Sequence, residues 1–164
     1  MSRGFVKEDD LEHAGTDVPE RPISALPNYV TVNGYALLQA ESQQLDIARR
    51  ALEANKDEPS SLDKLAVINR DLRYISSRIE SAIVTQPDKN AQQVLFGATV
   101  TVEDDEGDKH TYAIVGEDEA DIKAGKVSWT SPLAKALIGQ KVGENVTWAR
   151  PAGNANLEII AINY

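Results

Sequence analysis

The sequence predicts an α+β fold in which an antiparallel α-helical coiled-coil hairpin precedes a small antiparallel-sheet domain with one helix. The hairpin is assigned to residues 30–85 and the second domain to residues 94–164. Apolar residues of the hairpin recur at alternating intervals of three and four, which is the spacing of a helix seam. In the second domain the interval falls to two, as expected where side chains alternate between the faces of a strand.

The second helix of the hairpin carries the most regular pattern in the chain. Its seam residues fall at intervals of 3-4-3-4-3, which is a coiled-coil pattern over nearly three heptads. The first helix has a weaker seam, with a leucine at every seventh residue and Ser42 and Arg49 at intervening seam positions. The two sets are Leu65, Ile68, Leu72, Ile75, Ile79 and Ala82 in the second helix, and Leu38, Leu45 and Leu52 in the first.

A short polar connection, residues 55–61, separates the two helices and contains Pro59. A connection of this length requires the helices to run antiparallel. We expect Ser60 or Ser61 to cap the second helix, and Thr31 or Asn33 to cap the first. Each arm of about 22 residues would extend about 33 Å, at 1.5 Å per residue.

In the second domain we expect five strands, over residues 98–103, 110–115, 126–130, 146–149 and 157–163. An acidic turn ending in Gly107 joins the first two strands, because glycine adopts the positive φ that such a turn needs. A helix should begin at Pro132 behind the capping residue Ser131 and end at Gly139. Trp129 and Trp148 are interpreted as packing residues, with stacking platforms as the alternative.

The remaining segments are a linker at residues 86–93 and a tail at residues 1–29, which we expect to be disordered or extended. The tail is polar and acidic, and prolines at positions 19, 22 and 27 interrupt helices and ladders. Its apolar residues could alternatively dock on a surface. These residues are Phe5, Val6 and Leu11.

Composition excludes several classes of function. The chain of 164 residues has no cysteine, so disulfides, cysteine-rich zinc sites and thiol catalysis are excluded. Its two histidines are far apart in sequence, which disfavours a histidine metal site. A net charge of −9 without a basic cluster disfavours direct binding to duplex DNA. The chain has neither an apolar run of ~18 residues nor a secretory signal, so we expect a cytoplasmic protein with no membrane partner.

Four segments resemble the bacterial Gre transcript-cleavage factors, the GreA/GreB family. The most specific is SPLAKALIGQKVGENVTWARPAGNANLEIIAINY at residues 131–164. The others are NYVTVNGYALLQAE at 28–41, INRDLRYISSRIESAIV at 68–84 and FGATVTVEDDEG at 96–107. The resemblance therefore covers the chain from residue 28 onward, and the tail lies outside the family's common pattern.

The resemblance implies a second domain similar to FK506-binding proteins and a monomeric accessory factor, not an enzyme, whose partner is bacterial RNA polymerase. The hairpin would enter the polymerase secondary channel, and the second domain would dock at the rim. Contact with DNA or RNA would occur only within that complex. No cofactor of its own is implied, although Mg²⁺ could be shared with the polymerase active site. The implied docking residues are Ser131, Pro132, Lys135, Gly139 and Lys141.

At the hairpin tip the sequence departs from the family. The motif GD-x-SENAEY is absent, and each arm is shorter by about one heptad, or about 10.5 Å of reach. Asp57 and Glu58 remain at the predicted tip, where they would assist the polymerase metal or serve only as ordinary turn residues. Three functions stay open: stimulation of RNA cleavage, occupation of the channel without cleavage, and a coiled-coil scaffold unrelated to transcription.

Overall fold

The computed structural model describes residues 18–55 and 57–164, so the predicted contacts of Phe5, Val6 and Leu11 lie outside the described residues. The described chain divides into two compact units. We call residues 18–25 and 38–80 the helical unit, and residues 26–37 and 81–164 the globular unit.

Two long helices follow one another in the chain. Helix α1 spans Val32–Glu53 and helix α2 spans Pro59–Ser81, with 22 and 23 residues. Thr31 caps α1, as one of the two predicted alternatives: its Oγ1 accepts a hydrogen bond from the Gly34 amide at 2.9 Å. The predicted cap of α2 at Ser60 or Ser61 is wrong. The helix begins earlier because proline is well suited to a first helical position, where its missing amide proton is not needed.

Burial follows the predicted seam only in part. Leu38 of α1 and Leu65 and Ile75 of α2 are buried, whereas the other seam residues are half-buried. Near the turn, Leu52 shares a surface depression with Asp63, Lys64, Val67 and Ile68 at the start of α2. The end of α1 therefore lies beside the beginning of α2. Knobs-into-holes packing along the helices stays a prediction.

A two-stranded parallel sheet joins the end of the predicted tail to a segment that the sequence assigns to the end of the second helix. Strand β1, Tyr29–Val30, pairs with strand β2, Ile83–Val84, with Tyr29 opposite Ile83. The Ile83 amide donates to the Asn28 carbonyl oxygen at 2.8 Å, and the Thr85 amide to that of Val30 at 2.9 Å. These pairs are too short to produce a period-two pattern in the sequence.

The globular unit contains a five-stranded sheet in the order β5-β4-β3-β7-β6. Its strands are β3 Thr99–Glu103, β4 Lys109–Val115, β5 Lys126–Ser128, β6 Asn145–Trp148 and β7 Ala155–Asn163.

The prediction of an antiparallel sheet is wrong for one strand, since β5 runs parallel to β4. Residues 116–125, with a 3-10 turn at Ile122–Ala124, carry the chain back before β5 begins. Asp121 caps this turn, and Gly125 leaves it with φ +72°. The sheet is therefore mixed. Side-chain periodicity identifies a strand but not its direction, which is why the sequence did not predict this pairing.

Helix α3, Pro132–Leu137, packs against the sheet through Leu133, Ala134 and Leu137. The core consists of these residues and apolar side chains from the strands and from the segment before β3. Its strand and loop members are Val94, Ala98, Val100, Val102, Ile114, Val127, Val146, Leu157 and Ile159. Across the described part of the chain, no helix is long and apolar enough to cross a membrane.

Candidate functional site

Asp57 and Glu58 lie in the turn between α1 and α2, and both are exposed. The Glu58 amide donates to the Asn55 carbonyl oxygen at 3.2 Å, and the Glu58 carbonyl oxygen accepts from the Ser61 amide at 3.0 Å. Glu58 therefore occupies the position just before Pro59, the first residue of α2. Carboxylates there interact favourably with the amino end of the helix dipole. The turn thus presents two acidic side chains to solvent.

Asp63, also acidic and exposed, follows on the first turns of α2. Within residues 18–55 and 57–164 there is no group of three or more His, Cys, Asp or Glu residues that could hold a metal ion. A carboxylate binds Mg²⁺ as one of several oxygen ligands, alongside water and phosphate. Assistance to a metal by Asp57 and Glu58 therefore stays a prediction.

The five predicted docking residues lie on α3 and the turn after it. Ser131 caps the helix: its Oγ accepts from the Ala134 amide at 3.2 Å, as predicted. Pro132 follows as the first helical residue, and Pro132 and Lys135 are exposed while the opposite side of α3 enters the core. This arrangement fixes the backbone of the segment and leaves its outer side chains free to contact another molecule.

The turn after α3 continues that surface. Gly139 has φ +88°, and its amide donates to the Val94 carbonyl oxygen at 2.8 Å. Lys141 is exposed and forms an isolated bridge with Gln93. Its amide donates to Glu144 Oε2 at 3.2 Å. The backbone thus holds Lys135 and Lys141 on one short, well-fixed segment.

Sequence reasoning missed a nearly buried carboxylate in the globular unit. The side chain of Glu119 is 6% exposed. Thr31 Oγ1 lies 2.5 Å from Glu119 Oε1, Asn33 Nδ2 lies 2.9 Å from Oε2, and Lys126 Nζ lies 3.7 Å from Oε2. The cap signal at Thr31 was visible in the sequence, but nothing linked it to residue 119. Glu119 fixes the first turn of α1 and thereby where that helix begins.

A second missed feature is an open surface cavity of about 440 Å³ in the globular unit, between the β3–β4 and β6–β7 turns. Tyr112 and Trp148 meet edge to face there, with ring centroids 6.3 Å apart, and the Arg150 guanidinium lies 5.2 Å from the Trp148 ring. Burial raises the pKa of Tyr112. Trp148 is therefore half-buried at the edge of the core, in agreement with its interpretation as a packing residue.

His110 lies at the rim of this cavity, 2.9 Å from Asp104 Oδ2. Hydrogen bonding from His110, followed by the amides of Asp108 and Glu106, lowers the pKa of Asp104. Asp104 Oδ1 accepts from both amides at 2.9 Å. These contacts fix the β3–β4 turn, and they engage both oxygens of the Asp104 carboxylate within the turn.

Comparison with known proteins places the chain in a family. Residues 88–164 match the family model "Transcription elongation factor, GreA/GreB, C-term". The chain is 37% identical over 151 residues to the transcription elongation factor GreA of Hyphomonas neptunium, which covers 82% of this chain and 96% of that protein. The chain belongs to the GreA/GreB family. The transcription elongation factor GreB of Neisseria meningitidis serogroup B is 34% identical over 153 residues, covering 84% of this chain and 94% of that protein.

Two solved structures align with the chain at TM-scores below 0.5. The GreA factor homolog 1 (Gfh1) of Thermus thermophilus aligns with a TM-score of 0.42 and 22% identity, over 85% of this chain and 100% of that one. A GreA/GreB factor from Nitrosomonas europaea aligns with a TM-score of 0.41 and 18% identity, over 84% of this chain and 99% of that one. The family predicted from the four sequence segments is confirmed by the family model and the relatives.

Proposed function

We propose that this GreA/GreB-family protein is a cytoplasmic, monomeric transcription elongation factor that binds bacterial RNA polymerase and has no catalytic activity of its own. The observation that carries the proposal is the near full-length similarity to proteins named transcription elongation factor GreA and GreB. We propose that the two long helices are the part that is inserted, and that the segment from Ser131 to Lys141 is the docking surface. In this proposal the helices enter the polymerase secondary channel and the globular unit docks at its rim.

At the turn between these helices, Asp57 and Glu58 would face the polymerase active site. A carboxylate there can share a Mg²⁺ ion with the polymerase and orient a water molecule for hydrolysis of backtracked RNA. The exposure of both side chains supports this role, because it leaves the carboxylates accessible to a partner. Hydrolysis itself would remain the chemistry of the polymerase.

A second candidate function is occupation of the channel without stimulation of cleavage. The helices favour it, since 22 and 23 residues give arms of only about 33–35 Å at 1.5 Å per residue. The protein would then inhibit cleavage or compete with a longer factor. A ligand carboxylate must reach within ~2.1 Å of Mg²⁺, so a shortfall of one heptad could not be corrected by side-chain rotation.

The test is cleavage of nascent RNA in a backtracked elongation complex of the cognate polymerase, with and without the protein. Faster cleavage, lost in the double variant Asp57→Ala/Glu58→Ala while binding is retained, would support cleavage stimulation. Asp105→Ala/Glu106→Ala is the matched control, because it removes an adjacent exposed acidic pair from the β3–β4 turn. Slower or unchanged cleavage with binding would support the second candidate.

Absence of binding would reject both candidates. The scaffold alternative predicts a different result in solution, because helices that pair between chains would form a dimer. Sedimentation at micromolar concentration distinguishes the two. A monomer supports the proposed factor, and a dimer supports the scaffold.

A further inference from the structure

An extended N-terminal segment lies along α2 within the helical unit. We call residues 18–25 the N-terminal strap. Arg73 Nε lies 3.0 and 3.2 Å from the two carboxylate oxygens of Glu20, and a second nitrogen of the same guanidinium also contacts Glu20. Arg21 lies 3.4 Å from Asp71 Oδ1, and its guanidinium carbon lies 3.8 Å from the centre of the Tyr74 ring. Two successive strap residues thus contact three residues of α2, among which Tyr74 lies between Asp71 and Arg73 around the helix axis.

The contacts that hold the strap are mainly electrostatic. The side chains of Glu20 and Arg73 are 63% and 56% exposed, and Ile23 of the strap is itself exposed. Exposed ion pairs are weakened by salt, and they lose side-chain entropy when they form. The strap buries little apolar surface to compensate. It can therefore leave α2 without disrupting a hydrophobic core.

We propose that the face of α2 formed by Asp71, Arg73 and Tyr74 is an interaction surface, and that the strap occupies it in competition with the partner protein. The strap residues show which groups of a partner this surface can bind. A matching partner segment would offer a carboxylate to Arg73 and, beside it, a guanidinium to Asp71 and the Tyr74 ring. The partner's identity as RNA polymerase rests on the proposed function. Only molecules with the strap open can bind through this face, so the apparent affinity is reduced by the open fraction.

The first arm of the test measures strap opening in the protein alone. The chain has no cysteine, so spin labels can be attached selectively to Ile23→Cys and Leu62→Cys, whose native side chains are 52% and 51% exposed. We expect one narrow distance distribution at low salt. Adding Glu20→Ala/Arg21→Ala, or raising salt to about 1 M, should broaden the distribution and lengthen the distance.

The control for this arm is Glu41→Ala/Lys64→Ala, which removes one acid and one base from exposed positions of the same unit and leaves net charge unchanged. It should leave the distance distribution as in the parent protein. If Glu20→Ala/Arg21→Ala leaves the distance distribution unchanged, these two residues do not hold the strap on α2. That conclusion is independent of any result on polymerase binding.

The second arm measures affinity for the cognate polymerase with the full-length chain. Glu20→Ala/Arg21→Ala should bind about two- to tenfold more tightly than wild type at low salt, the range expected for a few exposed polar contacts. This ratio should approach one as salt rises, because salt opens the wild-type strap as well. The control for this arm is Lys109→Ala/Glu158→Ala, which removes an exposed base and an exposed acid from the globular unit outside the segment from Ser131 to Lys141, and it should bind as wild type.

The outcomes of the two arms separate the inference from the proposed function. If the variant strap opens but affinity is unchanged or weaker, competition is refuted while polymerase binding stands. If neither wild type nor variant binds polymerase, the proposed function and the competitive role fall together, and the spin-label distances alone decide whether the strap closes on α2.

Discussion

Thr31 and Glu119 are 88 residues apart in sequence, and the Thr31 hydroxyl lies 2.5 Å from Glu119 Oε1. The same hydroxyl oxygen accepts from the Gly34 amide, so Thr31 joins the helix cap to the carboxylate. Asn33 donates to the other oxygen of Glu119 at 2.9 Å. One carboxylate thus satisfies two polar side chains at the start of α1, in a position that is almost closed to solvent.

Glu119→Gln should therefore destabilise the protein despite its similar shape. An amide can accept through only one of its two terminal atoms, so either Thr31 or Asn33 would face a donor. Replacing a hydrogen bond to a charged carboxylate with a contact between two donors costs about 1–3 kcal/mol. Urea unfolding should show this loss, and Glu158→Gln, on the exposed face of β7, is the matched control. Equal stability of the two variants would show that the Glu119 contacts contribute nothing.

Gly116→Ala should weaken the pairing of β1 with β2. Gly116 is buried, and a Cβ there would lie closer than 3.0 Å to the Tyr29 carbonyl oxygen. Because that atom belongs to the backbone, it cannot rotate away, and a loss of about 1–3 kcal/mol is expected. Hydrogen exchange of the Ile83 and Thr85 amides, which donate into β1 and to Asn28 beside it, should accelerate.

The control for this prediction is Gly153→Ala, because no atom lies within 4 Å of the added Cβ. Its φ of +119° would strain an alanine locally, so some loss of stability is expected there too. Exchange at Ile83 and Thr85 should nevertheless remain slow. Acceleration in both variants would point to general destabilisation instead of a local clash.

The α2 seam gives a third prediction, which compares two isoleucines in the helical unit. Ile75 is 2% exposed and Ile47 is 68% exposed. Ile75→Ala should cost about 2–5 kcal/mol, as expected for truncation of a buried isoleucine, whereas Ile47→Ala should change stability by less than about 0.5 kcal/mol. Thermal or urea unfolding measures both. Similar small effects would show that the seam does not stabilise the helical unit.

Periodicity predicted the elements that bury one continuous face. Helix α2 and the strands around Val100, Ile114 and Leu157 were predicted because many apolar residues repeat with one period, although only Leu65 and Ile75 of the α2 seam are buried. The caps at Thr31 and Ser131 were found because a local side chain bonds a nearby amide. Such signals lie within a few residues of the feature they predict.

The features that the sequence did not predict depend on contacts between distant parts of the chain. The pairing of Tyr29 with Ile83 is too short to have a period. The parallel direction of β5 depends on how the preceding loop returns, not on the residues of the strand. Glu119 and the residues of the strap resemble ordinary surface charges until the fold brings their partners to them. The sequence placed Asp57 and Glu58 between the two helices, where the structure has them, and their role stays a prediction.

The turn between β3 and β4 gives a prediction for acid pH. His110 Nε2 lies 2.9 Å from Asp104 Oδ2, and this hydrogen bond is the main cause of the lowered pKa of Asp104, whose ordinary value is 3.8. A carboxyl whose folded pKa is depressed stabilises the folded state above its unfolded pKa. That contribution is lost as pH falls through the lower, folded value. The difference in stability between wild type and Asp104→Asn should therefore persist at pH 5 and shrink as pH falls well below 3.8.

Carbon NMR of the Asp104 carboxyl measures the cause directly. His110→Ala should raise the pKa of Asp104 towards its ordinary value, because the largest stabilising hydrogen bond is removed while the amides of Asp108 and Glu106 still donate. Lys109→Ala, which removes an exposed charge at the start of β4, is the control and should leave the pKa of Asp104 as low as in the wild type. An Asp104 pKa that is the same in wild type and His110→Ala would mean that the turn amides alone hold the carboxylate ionised, and that His110 takes no part.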